Sequence, residues 1–250
     1  MTERAKLLMS KNAVHPTDLS EINQIISRSW DANVQIRAAD LEQETDYSYT
    51  NVIKPWVLDR VLRRTTEDSC VLDIGCGCGY LTNAIYQCGR HKIEGVDLSS
   101  ASIAYAQNKY PVIPFTCQDI CTIPARKQYD LCLAVMTLNN MPSIKGFFSS
   151  VKALLRPHGH ILIVIPHPCY WPSKHLTDKE YSYLQEKAYE FTFSTKGRAD
   201  YASHILYFHR PLETYLRNIQ ETGFQLTVFR EFTELPGEST PDIIGIELKN

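Results

Sequence analysis

Asp73, Gly75, Gly77 and Gly79 stand between two regular stretches, in the run Cys-Val-Leu-Asp-Ile-Gly-Cys-Gly-Cys-Gly-Tyr from 70 to 80. Val71, Leu72 and Ile74 form an apolar run of the length of a buried parallel strand. Tyr80 to Gln87 is compatible with a helix. A strand, a glycine turn and a helix make the entry to a nucleotide-binding βαβ unit. Glycines there permit positive φ and let the backbone approach a ligand with no Cβ between them. The spacing decides between ligands. A dinucleotide fingerprint needs Gly-x-Gly-x-x-Gly, but the third position counted from Gly75 is Tyr80. The chain instead has Gly-x-Gly-x-Gly with an acid two residues ahead. A carboxylate at the strand end suits an ammonium group or an ordered water better than a pyrophosphate.

A second acid, Asp97, lies twenty residues past Gly77. It closes a second strand-like run that starts at His91. An acid at that point can accept hydrogen bonds from ribose hydroxyls. Further on, Asp119 and Ile120 follow a third run, Val112 to Cys117. Asn139 and Asn140 follow a fourth, Tyr129 to Val135, and His167 sits between two prolines after a fifth, His160 to Ile165.

The segment from Asp73 through Gly79 resembles the first motif of class I S-adenosylmethionine-dependent methyltransferases. Leu154 to Ile165 resembles that family's late motif. The resemblance is close over residues 68–165 and looser over 211–250. It implies a cofactor site formed by Asp73, Gly75, Gly77 and Gly79, with Asp97 at the ribose and the end of the fourth strand facing the amino-acid part. It further implies that Leu98 and Ile120 pack beside the adenine, that Asp119 accepts from the adenine amino group, and that Asn139 or Asn140 faces an amine or carboxylate. It implies S-adenosylmethionine as cofactor and methyl transfer to a small molecule, of the kind found in secondary metabolism.

Such chemistry needs an in-line nucleophile held near a sulfonium methyl, and positioning alone can lower the barrier by roughly 7–11 kcal/mol. Aromatic faces stabilise the cation by roughly 0.5–2 kcal/mol each. Tyr170 and Trp171 stand just beyond the fifth strand, and Tyr47, Tyr49, Tyr201 and Tyr207 are further candidates. His167 is the first choice of general base, with His15, His204 and His209 behind it. A second reaction fits the same fold: azetidine-2-carboxylate synthases cyclise S-adenosylmethionine itself and release methylthioadenosine. For that reading Asn139, Ser203 and Tyr170 would hold the amino-acid tail bent. A third reading is a non-catalytic module that only binds the cofactor. No Ser-His-Asp set or carboxylate pair points to a hydrolase.

These residues need a scaffold. The expected fold is α/β, a Rossmann-like, seven-stranded, mostly parallel sheet with a terminal antiparallel hairpin. Residues 1–67 read as an N-terminal helical cap, with a helix from Thr17 or Asp18 to about Ser29 and another through Val52 to Leu62. Residues 68–250 read as the cofactor-binding domain, carrying a lid insertion at about 166–210. Ser99 or Ser100 caps a helix to about Lys109, and Ser143 to Leu155 is helical. Arg156 to Gly159 reads as a tight turn. Within the lid, Phe191 to Ser194 and His204 to Phe208 alternate as a hairpin. Arg210-Pro211 opens a helix to about Gly223, and Phe224–Phe232 and Ile243–Leu248 are the last two strands.

Composition sets the remaining bounds. The chain has 250 residues, 44% hydrophobic and 22% charged, with a formal net charge of −2. That balance carries no electrostatic footprint for nucleic acid, and the Arg60, Arg63, Arg64 cluster reads as a solvated helix end. No apolar run reaches membrane-spanning length, and Met1 to Ser10 lacks a signal-peptide core. The eight cysteines, at 70, 76, 78, 88, 117, 121, 132 and 169, have no metal-ligand spacing, so no metal is expected. They read as free thiols of a reduced, cytoplasmic protein.

Overall fold

The computed structural model describes residues 16–125, 129–176, 181–192, 194–195 and 201–250. His15 and Met1 to Ser10 fall outside the described residues. The first helix, α1, spans Pro16–Glu42, which is thirteen residues longer than the pattern to Ser29 suggests. A single π-helical turn, Tyr49–Ile53, leads into α2, Lys54–Arg64. The sheet then begins. β1 (Val71–Ile74), α3 (Tyr80–Gln87), β2 (Ile93–Asp97), α4 (Ser100–Lys109), β3 (Phe115–Cys117) and β4 (Tyr129–Val135) alternate in order. α5 (Ile144–Leu154) and β5 (Leu155–Pro166) follow. Beyond β5 come a short helix, α6 (Trp171–His175), and a hairpin, β6 (Lys187–Thr192) with β7 (His204–His209). α7 (Leu212–Glu221), β8 (Gln225–Phe232) and β9 (Ile243–Lys249) end the fold.

The seven-stranded sheet has the order β3-β2-β1-β4-β5-β9-β8. β1 to β5 are parallel, and β9 runs antiparallel to both β5 and β8. Side chains alternate between the two faces with the period of a strand. Leu72, Ile74, Cys132 and Ala134 pack with Phe147, Phe148 and Tyr215 on one side. Val71, Leu131 and Leu133 pack with Val57, Val61 and Ile85 on the other. Covering both faces explains why β4 is apolar at consecutive positions and easy to read in the sequence.

Three local expectations change. β2 and β3 start later than the apolar runs do, because His91, Lys92 and Val112 lie exposed outside the ladder. The 156–159 segment is a wide bulge inside β5, with the register stepping from Tyr129↔Leu155 to Leu131↔His160 and His158 at φ 65°. The arginine cluster is only partly solvated. Arg60 Nε and Arg64 Nε donate to the fully buried Glu247 at 2.8 and 2.6 Å, clamping α2 to β9, while Arg63 pairs with Asp59 on the surface. Among the described residues no helix is long and apolar enough to cross a membrane, and no group of three or more His, Cys, Asp or Glu could hold a metal.

Candidate functional site

A cavity of about 540 Å³ lies across the C-terminal ends of β1, β2 and β4, beneath α1 and the β6–β7 hairpin. This is where ligands bind in open α/β sheets. Asp73, Gly75, Gly77, Asp97, Leu98, Asp119, Ile120 and Asn139 all line it. Gly79 does not. A Cβ there would come within 2.8 Å of Phe115, so its glycine serves helix packing. Gly75 has a similar constraint, with an added Cβ 2.3 Å from Thr137 Oγ1. Gly77 differs from both. Its φ is +52° and an added Cβ would meet nothing within 4 Å, so this part of the turn opens on the cavity.

The acids are held from behind. Thr82 Oγ1, on the first turn of α3, donates to Asp73 Oδ2 at 2.7 Å. Asp73 is nearly fully buried, and that burial, with the Asp97 charge nearby, lifts its carboxyl to about 6. Asp97 accepts from the backbone N–H of Gly77 and of Ser99, each at 2.8 Å, so it ties the glycine turn to the start of α4. Burial raises its pKa as well, against the pull of those backbone donors.

The part of the chain that carries this site is similar to S-adenosylmethionine-dependent methyltransferases. Residues 71–159 match the family model described as a methyltransferase domain. The chain is 24% identical over 170 residues to a ubiquinone biosynthesis O-methyltransferase of Rhodopseudomonas palustris, covering 64% of this chain and 65% of that one. It is 27% identical over 161 residues to a trans-aconitate 2-methyltransferase of Shigella dysenteriae, covering 64% and 58%. The chain thus spans about three-fifths of the length of these curated relatives. Among solved structures, an S-adenosylmethionine-dependent methyltransferase from Mesorhizobium loti superposes with TM-score 0.61 at 20% identity, over 77% of this chain and 100% of that one. The 1,6-didemethyltoxoflavin N1-methyltransferase of Burkholderia thailandensis superposes with TM-score 0.62 at 15% identity, over 96% and 92%. At these identities the likeness to the solved structures is one of fold.

In this methyltransferase fold the wall opposite the sheet comes from α1. Leu19, Asn23, Ile26, Ser27, Trp30, Val34, Arg37 and Leu41 face the cavity at spacings of one, three or four, a stripe down one side of a helix. The helix is tied to the segments that follow β2 and β3. Asn23 Nδ2 donates to Asp119 Oδ2 at 2.8 Å, Ser27 Oγ to the Leu98 carbonyl at 2.9 Å, and Asp31 Oδ1 accepts from Ser99 Oγ and the Ala101 N–H. Arg37 is paired with Asp46 at 2.6 Å in the same wall. Nothing in the sequence pattern singles out Asn23, Arg37 or Asp46, because the stripe mixes polar and apolar residues.

The lid is tied to the same helix. Asn33 Oδ1, fully buried, accepts from the backbone N–H of Ala202 and Ser203, and Tyr201 donates to Asp40. β7 is also held from the sheet side, where Asn140 Nδ2 donates to the Leu206 carbonyl. Trp171, Phe191 and Tyr49 line the cavity, but Tyr47, Tyr170, Tyr201 and Tyr207 do not.

His167, Tyr170 and Ser203 lie outside the cavity lining. His167 Nε2 is 2.8 Å from Glu231 and its Nδ1 accepts from the Cys169 N–H, so the ring turns toward β8. Tyr170 lies against that ring with centroids 4.8 Å apart and planes tilted by 53°, and it is exposed. Ser203 Oγ donates to the His204 carbonyl. His204 and His209 are likewise absent from the lining, and the imidazole found there is His175, on α6. The flanking prolines of His167 fix its backbone, not the face its side chain takes.

Proposed function

We propose that this protein binds S-adenosylmethionine in the cavity and transfers its methyl group to a small acceptor. The observation that carries the reading is the combination at one site of the open Gly77 turn, the buried Asp73, the half-buried Asp97, and a roof made by α1 and the lid. Asp97 retains lone pairs beyond those used by Gly77 and Ser99, and these suit ribose hydroxyls. Asp73 suits the cofactor's ammonium. Leu98, Ile120 and Asp119 flank the adenine, with Asn23 beside Asp119. The acceptor's lone pair attacks the methyl carbon, the carbon–sulfur bond breaks toward sulfur, and S-adenosylhomocysteine leaves. The acceptor's proton goes to solvent or to His175 at the cavity edge.

Residues 1–67 act here as a cap and 166–210 as a lid. A roof hydrogen-bonded to both the sheet and itself leaves room for a small molecule beside the nucleoside, not for a polymer. The relatives named for ubiquinone biosynthesis, trans-aconitate and 1,6-didemethyltoxoflavin act on small molecules, which supports the acceptor class. Incubating the protein with methyl-labelled S-adenosylmethionine and a cell extract tests this. Label should appear in the filtrate of small molecules. Label retained only in nucleic acid or protein would overturn the reading.

One observation favours a second reading, cyclisation of S-adenosylmethionine. Asn139 Oδ1 is buried without a hydrogen-bond partner in the cavity wall and suits the cofactor's own amine. The other two residues expected for that reaction, Ser203 and Tyr170, do not line the cavity.

A further inference from the structure

Asp242 is 1% exposed and sits one residue before β9, where Ile243 pairs with Pro166 at the end of β5. Its backbone is fixed on both sides. Its N–H donates to the Phe232 carbonyl at 2.9 Å, and its carbonyl accepts from the His167 N–H at 2.7 Å. One carboxylate oxygen, Oδ1, is 2.5 Å from Lys174 Nζ. The other, Oδ2, is buried without a hydrogen-bond partner, and the residue lines the cavity. Leaving a buried carboxylate oxygen unsatisfied is costly, and a donor from a ligand removes the cost.

The surroundings specify which donor. Six acids line the cavity among the described residues: Asp46, Asp73, Asp97, Asp119, Glu234 and Asp242. The basic residues that line it, among the described ones, are Arg37, already paired with Asp46, and His175. An anionic acceptor would meet repulsion from most of the ionisable groups in the wall. Trp171 and Phe191, with ring centroids 5.2 Å apart, line the same cavity and offer aromatic faces to a cation or a flat ring. Tyr49 Oη and Asn139 Oδ1 are further buried polar atoms of the wall without a partner.

We infer that Asp242 is a specificity-determining residue that anchors a protonated amine of the acceptor, so that the methyl acceptor is an amine-bearing, partly aromatic molecule and not a carboxylate. The inference rests on the methyl-transfer reading. The anchored nitrogen makes and breaks no covalent bond. It fixes the molecule's orientation, with the ring against Trp171 and Phe191. The sequence gives no hint of this role, because Asp242 follows a Pro-Gly loop in which an acid reads as a turn residue.

The test uses the full chain loaded with S-adenosylhomocysteine and three probes of one shape: phenethylamine, 2-phenylethanol and phenylacetate. Calorimetry should find phenethylamine tighter than phenylacetate by about tenfold or more, as a charge-assisted bond to a buried carboxylate requires. Asp242→Asn keeps both backbone bonds and the side chain's size. It should bring the probes to within about threefold of each other while leaving S-adenosylhomocysteine affinity unchanged. Lys174→Met removes the competing cation and should preserve the amine preference. Phenylacetate binding as well as phenethylamine, an amine preference that survives Asp242→Asn, or no binding of any probe would each overturn the inference. So would weaker S-adenosylhomocysteine binding in Asp242→Asn, since the amine would then be the nucleoside's own. Failure of the wild-type protein to bind S-adenosylhomocysteine at all would instead sink the methyl-transfer reading, and it is read in the loading step.

Discussion

Replacing Asp97 with alanine should separate the residue's two tasks. Its carboxylate accepts from the Gly77 and Ser99 N–H groups, both at 2.8 Å, and so holds the glycine turn against the start of α4. Hydrogen bonds to a charged group contribute about 1.5–3 kcal/mol each. Against their loss stands relief from carrying a charge in a partly desolvated position, the same desolvation that raises the group's pKa. The net cost to folding is then about 1–3 kcal/mol, or several degrees in Tm for a chain of this size. Binding should suffer separately. The ribose donors lose a charged acceptor, worth about 2–3 kcal/mol, which is roughly 30- to 150-fold in Kd. Titration calorimetry with S-adenosylhomocysteine and a thermal melt followed by circular dichroism read the two effects. Asp97→Asn, which keeps one acceptor oxygen, should fall between. A lowered Tm with affinity still within about twofold of wild type would refute the reasoning and leave Asp97 as a brace for the turn.

Further expectations follow from neighbouring groups. Gly77→Ala should cost about 1 kcal/mol of stability through its positive φ yet weaken S-adenosylhomocysteine binding by about tenfold or more, because the added Cβ enters the ligand's space. Gly75→Ala should lose more stability than Gly77→Ala, since its Cβ collides with Thr137. Equal melting shifts would contradict that contrast. Asp73 has a folded pKa of about 6, above its unfolded value, so the folded state holds the proton longer. Stability should therefore fall as pH rises from about 4 to about 6, by up to about 3 kcal/mol, and Asp73→Asn should flatten that slope in pH-dependent melts. Asn33→Ala leaves the Ala202 and Ser203 N–H groups without their acceptor. Deuterium exchange should accelerate over 201–207, and a pattern unchanged from wild type would mean that Asn33 does not hold the lid.

Much of the sheet is legible in the sequence because buried parallel strands are continuous apolar runs. β4 matches its run residue for residue, and the serine caps of α4 and α5 mark those helix starts. The glycine turn and the acids at 73, 97 and 119 were legible as cavity residues because strand ends in this topology converge on one edge. α1 was legible for only half its length. Beyond Ser29 the inward positions mix Trp30, Val34 and Arg37 of the cavity wall with Asn33 and Asp40, which hold the lid, so the apolar period fades. The direction of His167 was hidden for a different reason. Its partner Glu231 lies 64 residues away on β8, and no local pattern carries that contact. Asn33 and Asp40 were unreadable in the same way, since each is buried by a lid segment more than 150 residues later.

The central claim, that the cavity holds S-adenosylmethionine for methyl transfer to a separate small acceptor, is tested most directly by the nucleoside that leaves. The protein should be incubated with S-adenosylmethionine, alone and with a small-molecule extract, and the nucleosides separated by chromatography. Methyl transfer breaks the methyl–sulfur bond, so S-adenosylhomocysteine should appear only when the extract is present. Cyclisation breaks the bond to the γ-carbon and needs no acceptor. Methylthioadenosine formed by the protein alone, above the spontaneous background and lost in Asn139→Ala, would contradict the account.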